Sequence, residues 1–367
     1  MSSKPHIAVP AGSPAASSNR RRYRGNVRTP RIAVITPTKD RCALLTETIT
    51  SVRSQTYTDW EHWIIDDGST DGTEETVANI SAEDPRIRYL KRTSDITGAS
   101  VCRNIGVRAT TAELVVFLDS DDLLDNHCLE RRVQLMERNP DLDFATFQSA
   151  LFLNKKTDLG RIYDGELLGD DLLRFLFFEV PWVITAPVWR RSTLLRLGLF
   201  DESLPSWQDV DLHIRAIVSR CKYLRFPEVD HHIRWQYEAT KVSVEQRRSP
   251  KHLEAALLLL KKFEHLVNTN ASMNWVRQRA LCSLYFFVAE RWVENKTLGK
   301  ALSAWRVIAR RRLGSGFLWL TGTFLLCLYR MPDPGGIVAR VVNKWKGWMR
   351  LRTNPALLKS LNGQQLG

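Results

Sequence analysis

The sequence predicts an α/β fold, in which a mostly parallel mixed sheet is flanked by helices and followed by a helical C-terminal extension. Two observations support this prediction. Short β-rich runs alternate with segments of helical periodicity over the first half of the chain, and from about Lys251 the chain becomes almost wholly helical. Alternating strands and helices are typical of a parallel sheet with helices on both faces, because each helix returns the chain to the start of the next strand.

The predicted strands are runs of β-branched, aromatic and aliphatic residues that end at Pro or at acidic turns. They lie at 32–37, 60–68, 87–90, 113–118 and 144–152. The predicted helices have apolar residues three and four positions apart, and they lie at 44–55, 71–80, 98–109, 123–138, 167–178, 209–220, 253–268 and 273–293. Residues 181–189 are predicted to be extended.

These elements divide the 367 residues into three parts. Residues 1–30 are rich in Ser, Pro, Ala and Arg and lack apolar periodicity, so they are expected to form a disordered basic tail. Residues 31–248 form the predicted α/β domain. Residues 249–367 form a predicted basic helical region, which is a candidate for membrane association.

The net charge of +13 is concentrated at the two ends of the chain. Residues 1–30 carry +6, residues 301–367 carry +10 and residues 31–300 carry −3. This distribution indicates an anionic partner surface, either a membrane or a nucleic acid. Nucleic acid is disfavoured, because no RRM, helix-turn-helix or zinc-finger pattern is found. The six cysteines show no spacing typical of zinc sites or disulfides, which favours a cytoplasmic setting.

Two features of the C-terminal region concern a membrane. The apolar run 317–329 is shorter than the roughly 20 residues that span a bilayer. It is therefore expected to be a core helix or a helix in the membrane interface. Trp345 and Trp348 lie among basic residues, a composition typical of an interfacial anchor. The alternative is a helical cap over the α/β domain, with its basic residues solvated.

An acidic cluster, Asp119-Ser120-Asp121-Asp122, directly follows the apolar run 114–118. Like charges this close repel one another, and burial increases the repulsion. A cation among them would relieve it, and carboxylate oxygens suit Mg²⁺ or Mn²⁺, which bridge to substrate phosphates. The alternative is an acidic turn that caps the helix beginning near Leu123. The cluster alone favours neither interpretation.

Three further patterns carry polar groups to the ends of predicted elements. The segment 66–71 places an acidic turn after the second strand, and Gln208-Asp209 precedes a helix. Arg103 lies in the helix that opens at Gly98, where it is a candidate for contacting a diphosphate. Taken singly, each pattern is also explained as a turn or as a helix cap.

Together these patterns resemble the family 2 glycosyltransferases, which have the GT-A fold. The matching segments occur in the family's order, and they are 35–41, 51–56, 66–73, 103–106, 117–122 and 208–212. The resemblance covers roughly residues 31–240. It leaves the two ends of the chain without a counterpart.

The resemblance implies a nucleoside-diphosphate sugar bound at the strand ends. The candidate contacts to this donor are Thr36, Pro37, Thr38, Asp40, Arg41, Asp67, Arg103, Asp119, Ser120 and Asp121. Asp67 matches the residue that reads the nucleobase, which favours a uridine or thymidine diphosphate. The Asp-x-Asp motif implies Mg²⁺ or Mn²⁺ held by Asp119, Asp121 and Asp122.

The family's catalytic base is the Asp of a Glu-Asp pair, and it matches Asp209. Gln208 stands where the family has Glu, so a second charge beside the base is missing. Some relatives place a His near the metal after this helix, and His231 and His232 are the candidates here. A structural role for either histidine is the alternative.

The predicted activity is an inverting, metal-dependent transfer of a sugar to a lipid-linked or surface-polysaccharide acceptor. The protein is expected in the cytoplasm, peripherally at the inner face of the cell membrane. The alternatives are a catalytically inactive nucleotide-sugar-binding protein, which Gln208 keeps open, and a basic nucleic-acid-binding protein.

Overall fold

A computed structural model describes residues 29–163, 169–177, 179–235, 249–270, 274–311, 313, 315–328 and 337–349. The predicted basic tail lies almost entirely outside this part of the chain. So does the predicted domain boundary at residue 248. Both assignments stay predictions.

Nine strands of the described chain form one mixed sheet. They are β1 (Ile32–Thr38), β2 (Trp60–Asp66), β3 (Ile87–Lys91), β4 (Leu114–Phe117), β5 (Leu123–Leu124), β6 (Phe144–Phe152), β7 (Arg161–Ile162), β8 (Pro187–Arg190) and β9 (Tyr223–Arg234). Their order is β3-β2-β1-β4-β8-β6-β9-β5, and β7 pairs with β6. The neighbours β1, β2, β3 and β4 are parallel, whereas β8 is antiparallel to β4 and β6. The first four strands therefore end at one edge of the sheet.

The described helices fall into two groups. Those of the α/β part are α1 (Cys42–Arg53), α2 (Thr73–Glu83), α3 (Ala99–Ala109), α4 (Cys128–Arg138), α5 (Asp171–Leu176), α6 (Arg191–Arg196) and α7 (Gln208–Val218). Those of the C-terminal part are α8 (Pro250–Asn270), α9 (Trp275–Glu294), α10 (Leu298–Arg310), α11 (Gly316–Leu328) and α12 (Ile337–Met349). None of the described helices combines the length and apolarity needed to cross a bilayer.

The central parallel strands β1, β2 and β4 are buried on both faces, as is typical of a parallel sheet between helices. Along β1, Ile32 and Val34 point into one core, and Ala33 and Ile35 point into the other. The second core also contains α3 and α7. Gly106 lets α3 approach closely, since a Cβ at this position would lie 2.4 Å from a methyl carbon of Ile35.

The C-terminal helices continue the second core without a break, because apolar residues from β1 to α12 belong to one buried cluster. Polar contacts fix the same junction. Lys262 of α8 lies 2.9 Å from Asp201 and 2.7 Å from the buried Asp211 of α7. Lys262 and the bonds of Asp201 to Ser203 outweigh the effect of burial and lower the pKa of Asp201 to about 2. The C-terminal helices are thus packed onto the α/β part.

The fold class is confirmed, and strand 144–152 is predicted to the residue. The predicted helix from Leu123 is wrong at its start, because residues 123–124 pair with β9 and the helix begins at Cys128. The extended segment 181–189 becomes a strand only at Pro187. Strand β9 was not predicted, because its sequence lacks a clear apolar alternation. Its pairing with β6 is also irregular after Phe147.

Candidate active site

Two adjoining cavities open where the parallel strands end. The first, here called the sheet-edge cavity, has a volume of about 410 Å³ and is lined by Pro37, Thr38, Lys39, Asp40, Arg41, Asp67, Ala99, Cys102, Arg103, Asp119 and Ser120. The second, here called the α7 cavity, has a volume of about 470 Å³ and includes Gln208, Asp209 and His252 in its lining. Arg103 and Asp119 line both cavities. The carboxyl ends of strands in open α/β sheets are where ligands bind.

The loop after β1 is held against the loop after β2 by Asp40. Its carboxylate accepts a bond of 2.8 Å from the Thr70 N–H, and its own N–H donates to the Ser69 hydroxyl at 3.0 Å. The φ of Asp40 is 49°, a left-handed conformation that Asp tolerates better than most residues. Thr36 does not line the cavity, because it is buried and its hydroxyl bonds His62 at 2.8 Å. A contact from the Thr36 side chain to the nucleotide is therefore not supported.

The three carboxylates of the acidic turn after β2, Asp66, Asp67 and Asp71, have different roles. Buried Asp66 accepts from Ser69 and from the Tyr89 hydroxyl, and Asp71 accepts from the Cys42 N–H at 2.9 Å. These two groups build the turn, as the structural alternative expected. Asp67 is the one that lines the sheet-edge cavity.

The carboxylate of Asp67 accepts from the Arg92 guanidinium through one oxygen and from the Gly98 N–H, at 3.0 Å, through the other. The φ of Gly98 is 121°, which favours glycine and brings this N–H to the carboxylate at the start of α3. Arg92 was not identified from the sequence, because the loop that carries it matches no motif.

The Asp119–Asp122 cluster is compensated by two guanidinium groups. Arg103 lies 2.6 Å from Asp119, and Arg41 lies 2.7 Å from Asp121. Burial and the charge of Asp119 nevertheless raise the pKa of Asp121, against the opposing effect of Arg41. The carboxyl of Asp121 is thus less readily ionised than an exposed one, mainly because it is buried.

Asp122 faces away from the sheet-edge cavity. It is buried, and its carboxylate accepts from the Arg234 N–H at 3.1 Å and from the Thr185 hydroxyl at 3.3 Å. Burial, then the charges of Asp121 and Asp119, raise its pKa well above the ordinary value. Because both oxygens face protein groups, Asp122 fits a structural role, and its predicted part as a metal ligand is not supported.

The remaining donors fit Mg²⁺ or Mn²⁺ bound through one or two carboxylates. Within the described residues, no three acidic, His or Cys side chains converge as a ready metal cage. Mg²⁺ is usually held by one or two carboxylates together with substrate phosphates, so such a cage is not required. Asp119, which lines the sheet-edge cavity, and Asp121, which pairs with Arg41 of that lining, are the carboxylates that suit a cation.

The two histidines of β9 point elsewhere. Buried His231 bonds the Ser149 hydroxyl at 2.6 Å through Nε2 and Asp230 at 2.8 Å through Nδ1, so both ring nitrogens are engaged. Asp230 also pairs with the buried Arg132. His232 bonds Asp125 at 2.9 Å. His231 is therefore part of a buried structural network, which corrects its assignment as a candidate metal ligand.

Asp209 lies in the first turn of α7, half-buried and facing the α7 cavity. The position at a helix N-terminus favours the charged carboxylate. Burial has the larger effect and raises the pKa of Asp209. The Val210 N–H and Arg103 act against it, and Asp119 adds to it.

Gln208 has a structural reason to be an amide. Its Nε2 donates to the carbonyl oxygen of Leu204 at 3.2 Å. The carboxylate of a Glu at this position has no N–H to donate, so it could not form a hydrogen bond with that carbonyl. The missing acidic neighbour of Asp209 therefore coincides with a bond that only the amide provides.

Several lining residues were missed from the sequence. Lys39 is the one residue of segment 37–41 that was not singled out, although its motif gave the signal. Cys102 is adjacent to Arg103 on α3. His252 comes from α8, beyond the resemblance, and bonds Ser249 at 2.7 Å. Only the packing of α8 on α7 brings it to the cavity.

Comparisons with known proteins agree with this geometry. A family model described as Glycosyl transferase family 2 matches residues 33–174. An uncharacterised glycosyltransferase of Rickettsia conorii is 38% identical over 184 residues, which are 50% of this chain and 30% of that protein. The GalNAc(5)-diNAcBac-PP-undecaprenol beta-1,3-glucosyltransferase of Campylobacter jejuni is 30% identical over 142 residues, which are 39% of this chain and 45% of that protein. The chain thus spans less than half the length of these relatives.

Solved structures share the fold at low identity. S. aureus TarS 1-349 in complex with UDP-GlcNAc has a TM-score of 0.60 and 16% identity, over 86% of this chain and 92% of that one. The mannosyltransferase PcManGT of Pyrobaculum calidifontis, in complex with GDP-Man and Mn²⁺, has a TM-score of 0.50 and 18% identity, over 87% and 88%. Both likenesses extend beyond the α/β part into the C-terminal helices.

Proposed function

The chain belongs to glycosyl transferase family 2 and has the GT-A fold, and from this premise we propose that it is an inverting glycosyltransferase that uses a nucleoside-diphosphate sugar. One observation carries the proposal. The cavity with the basic and acidic residues for a diphosphate adjoins the cavity with Asp209, and the two share Arg103 and Asp119. A sugar bound at this junction would have the diphosphate-binding residues on one side and Asp209 on the other.

The donor is proposed to bind in the sheet-edge cavity. Arg41, Arg103 and the N-terminus of α3 supply positive charge for the diphosphate. Asp67 retains lone pairs beyond those that Arg92 and Gly98 engage, so it can accept from the imide N–H of a pyrimidine. This favours a UDP- or dTDP-sugar. The two solved neighbours bind UDP-GlcNAc and GDP-Man, which supports the donor class without selecting the base.

The metal is proposed to be held by Asp121 with Asp119, from the chemistry of these oxygens and the repulsion between the two neighbouring carboxylates, which a cation would relieve. Bound there, Mg²⁺ or Mn²⁺ would stabilise the negative charge that develops on the leaving diphosphate. Arg41 and Arg103 supply charge toward the same group. The Mn²⁺ in the PcManGT complex supports this assignment by likeness of fold alone.

Asp209 is proposed as the general base. Its carboxylate takes the proton of the acceptor hydroxyl while that oxygen bonds to the anomeric carbon. The bond from the anomeric carbon to the β-phosphate oxygen breaks on the opposite face, which inverts the anomeric configuration. The raised pKa suits this role, because a stronger base removes the proton more readily as long as it is ionised at the working pH.

The acceptor is proposed to be a lipid-linked or surface glycan at the inner face of the cell membrane, with the protein bound peripherally. The acceptor named for the Campylobacter jejuni relative, a glycan on PP-undecaprenol, supports the class. The basic C-terminal region supports the location. In addition, His252 gives the C-terminal helices a part in lining the acceptor side.

A second candidate function is nucleotide-sugar binding without transfer, which is favoured by Gln208 in place of the family's Glu.

One experiment tests both functions. The thermal stabilisation of the protein by UDP, dTDP and GDP would be compared, each with and without MnCl₂. The corresponding UDP-, dTDP- and GDP-sugars would be compared for release of the diphosphate. We expect Mn²⁺-dependent stabilisation and release with uridine or thymidine donors.

The controls separate the candidates. Asp121→Asn should lose the Mn²⁺-dependent stabilisation, whereas Asp141→Asn, at an exposed carboxylate remote from both cavities, should retain it. Stabilisation without release in the presence of lipid-linked acceptors would favour the binding protein. Neither stabilisation nor release with any of the nucleotides would contradict both functions.

A further inference from the structure

One face of helix α11 consists of exposed apolar side chains. Phe317, Leu320 and Phe324 are 70%, 60% and 62% exposed and are spaced three and four residues apart. At 100° per residue they lie within one narrow sector of the helix. Cys327 is exposed on the same side. Such clustering differs from scattered surface apolar residues, and it marks an interaction site.

The packing of α11 fixes which face points outward. Gly322 lies against Trp305 of α10, so closely that a Cβ there would be 2.3 Å from the indole ring. The Trp305 ring also donates to the carbonyl oxygen of Trp319 at 3.0 Å. Gly322 is on the opposite side of the helix from Phe324. The exposed face is therefore held in place and is not a frayed end.

The helices on either side of α11 carry cations. Arg306 and Arg310 of α10 and Arg340 and Lys344 of α12 are exposed, and in the described part of the chain none of the four forms an ion pair. Residues 295–349 contain ten Lys or Arg and a single acid, Asp333. Helices α10, α11 and α12 thus contribute cations and no carboxylate to the surface around the apolar face.

We propose that this surface binds an anionic lipid bilayer, with Phe317, Leu320 and Phe324 inserted at the interface and the four cations against lipid headgroups. Apolar side chains flanked by Lys and Arg are the composition of interfacial helices. A second copy of the chain is a poorer occupant, because a two-fold contact would bring the same cations face to face. The helix is too short to cross the bilayer, so the binding is peripheral.

The structure also corrects the expected anchor. Trp345 is half-buried, with its ring 4.5 Å from that of Phe286 and 6.3 Å from that of Trp305. Lys346 pairs with the buried Glu290 of α9. The side chain of Trp348 lies outside the described residues. Membrane contact is therefore assigned to α11 and not to Trp345.

The inference deepens the peripheral location included in the proposed function, and vesicle binding tests it without donor or acceptor. The full chain would be floated with vesicles of phosphatidylcholine alone and of phosphatidylcholine with phosphatidylglycerol. We expect binding to the anionic vesicles only.

The triple variant Phe317→Ser, Leu320→Ser, Phe324→Ser should bind to the anionic vesicles about a hundredfold more weakly than the native chain. The matched triple Leu195→Ser, Leu224→Ser, Leu258→Ser, at exposed apolar residues elsewhere, should bind as the native chain does.

The cations are tested separately. Arg306→Gln with Arg310→Gln should weaken binding about tenfold or more, and Arg131→Gln with Lys222→Gln should leave it unchanged. Cys327 is the one exposed cysteine of the described chain and Cys42 is partly buried, so Cys327 can carry an environment-sensitive dye in a Cys42→Ser background. Its emission should shift to the blue with anionic vesicles.

Three outcomes would overturn the proposal. The first is native binding by the α11 triple variant with its fold intact by circular dichroism. The second is the absence of vesicle binding by the native chain. The third is a dimer that the triple variant dissociates, which would make a second copy the occupant of the face.

Discussion

The two cavities of this protein differ in the groups that surround their carboxylates. In the sheet-edge cavity each lining carboxylate has a cation or an N–H beside it: Asp40 has the Thr70 N–H, Asp67 has Arg92 and Asp119 has Arg103. In the α7 cavity, burial dominates at Asp209 and raises its pKa. The first arrangement suits the binding of a charged diphosphate, and the second suits the transfer of a proton. The shared residue Arg103 connects the two.

Arg103→Met should have the largest effect among the variants that break this connection. It removes the positive charge that we propose faces the donor's diphosphate, and it removes the group that pairs with Asp119. We expect kcat/KM to fall by about a hundredfold or more. Arg108→Met, on the exposed side of the same helix, is the matched control. Equal activity of the two variants would show that Arg103 serves neither cavity.

The pH profile of Arg103→Met sharpens the same point. With Asp209 as the proposed base, activity depends on its ionised form and is expected to rise as pH increases through the pKa of that group. Because Arg103 lowers this pKa, its removal should move the acidic limb of kcat/KM to higher pH. An unchanged limb would place the titrating group elsewhere.

Lys262→Met tests whether the C-terminal helices help to position α7. Lys262 forms an ion pair with Asp211, which lies two residues beyond Asp209 on the same first turn of α7. Its loss should lower the free energy of unfolding by about 1–2 kcal/mol, since Arg215 still pairs with Asp211. Turnover should fall severalfold with little change in donor affinity. Lys262→Arg should restore both, and a loss of stability with native turnover would make the contact purely structural.

Gln208→Glu should have a smaller effect on activity. The added carboxylate loses the bond to the Leu204 carbonyl and places a negative charge beside Asp209. The pKa of Asp209 should rise, so the acidic limb moves to higher pH and activity near neutrality falls about twofold to threefold. Gln208→Met removes the same bond without the charge and should leave the pH profile unchanged.

Asp122→Asn should have the smallest effect on activity and should increase stability. Because the pKa of Asp122 is raised in the folded state, folding binds its proton more tightly. The free energy of unfolding therefore decreases as pH rises from the unfolded pKa of about 3.9 through the folded one. Asn cannot ionise, so its advantage should appear above that window as a higher melting temperature at pH 7. A large loss of Mn²⁺-dependent stabilisation would restore Asp122 as a metal ligand.

The α/β part was largely predictable from the sequence because its signals are local. A buried strand such as 144–152 is an apolar run, and Asp119 follows such a run directly. The motifs also ordered the candidate residues along one sheet edge. What the motifs could not give is side-chain direction. Thr36 and Asp122 belong to matching segments, yet both face protein groups.

The C-terminal part was less predictable, because its assignment depends on long-range packing. The composition of α12 gave no sign that Trp345 packs inward against Phe286, whereas Phe317 and Phe324 remain outside. His252 likewise reaches the α7 cavity through the docking of α8. Neither outcome is encoded by spacing within a single helix.

The most direct test of the two-cavity account is Asp209→Asn, measured for donor affinity by calorimetry and for turnover on the same preparation. Asp209 lies outside the sheet-edge cavity, so the account predicts an unchanged donor Kd with turnover about a thousandfold lower. Native turnover would contradict the assignment of the base. A parallel loss of donor affinity and turnover would contradict the separation of binding from proton transfer.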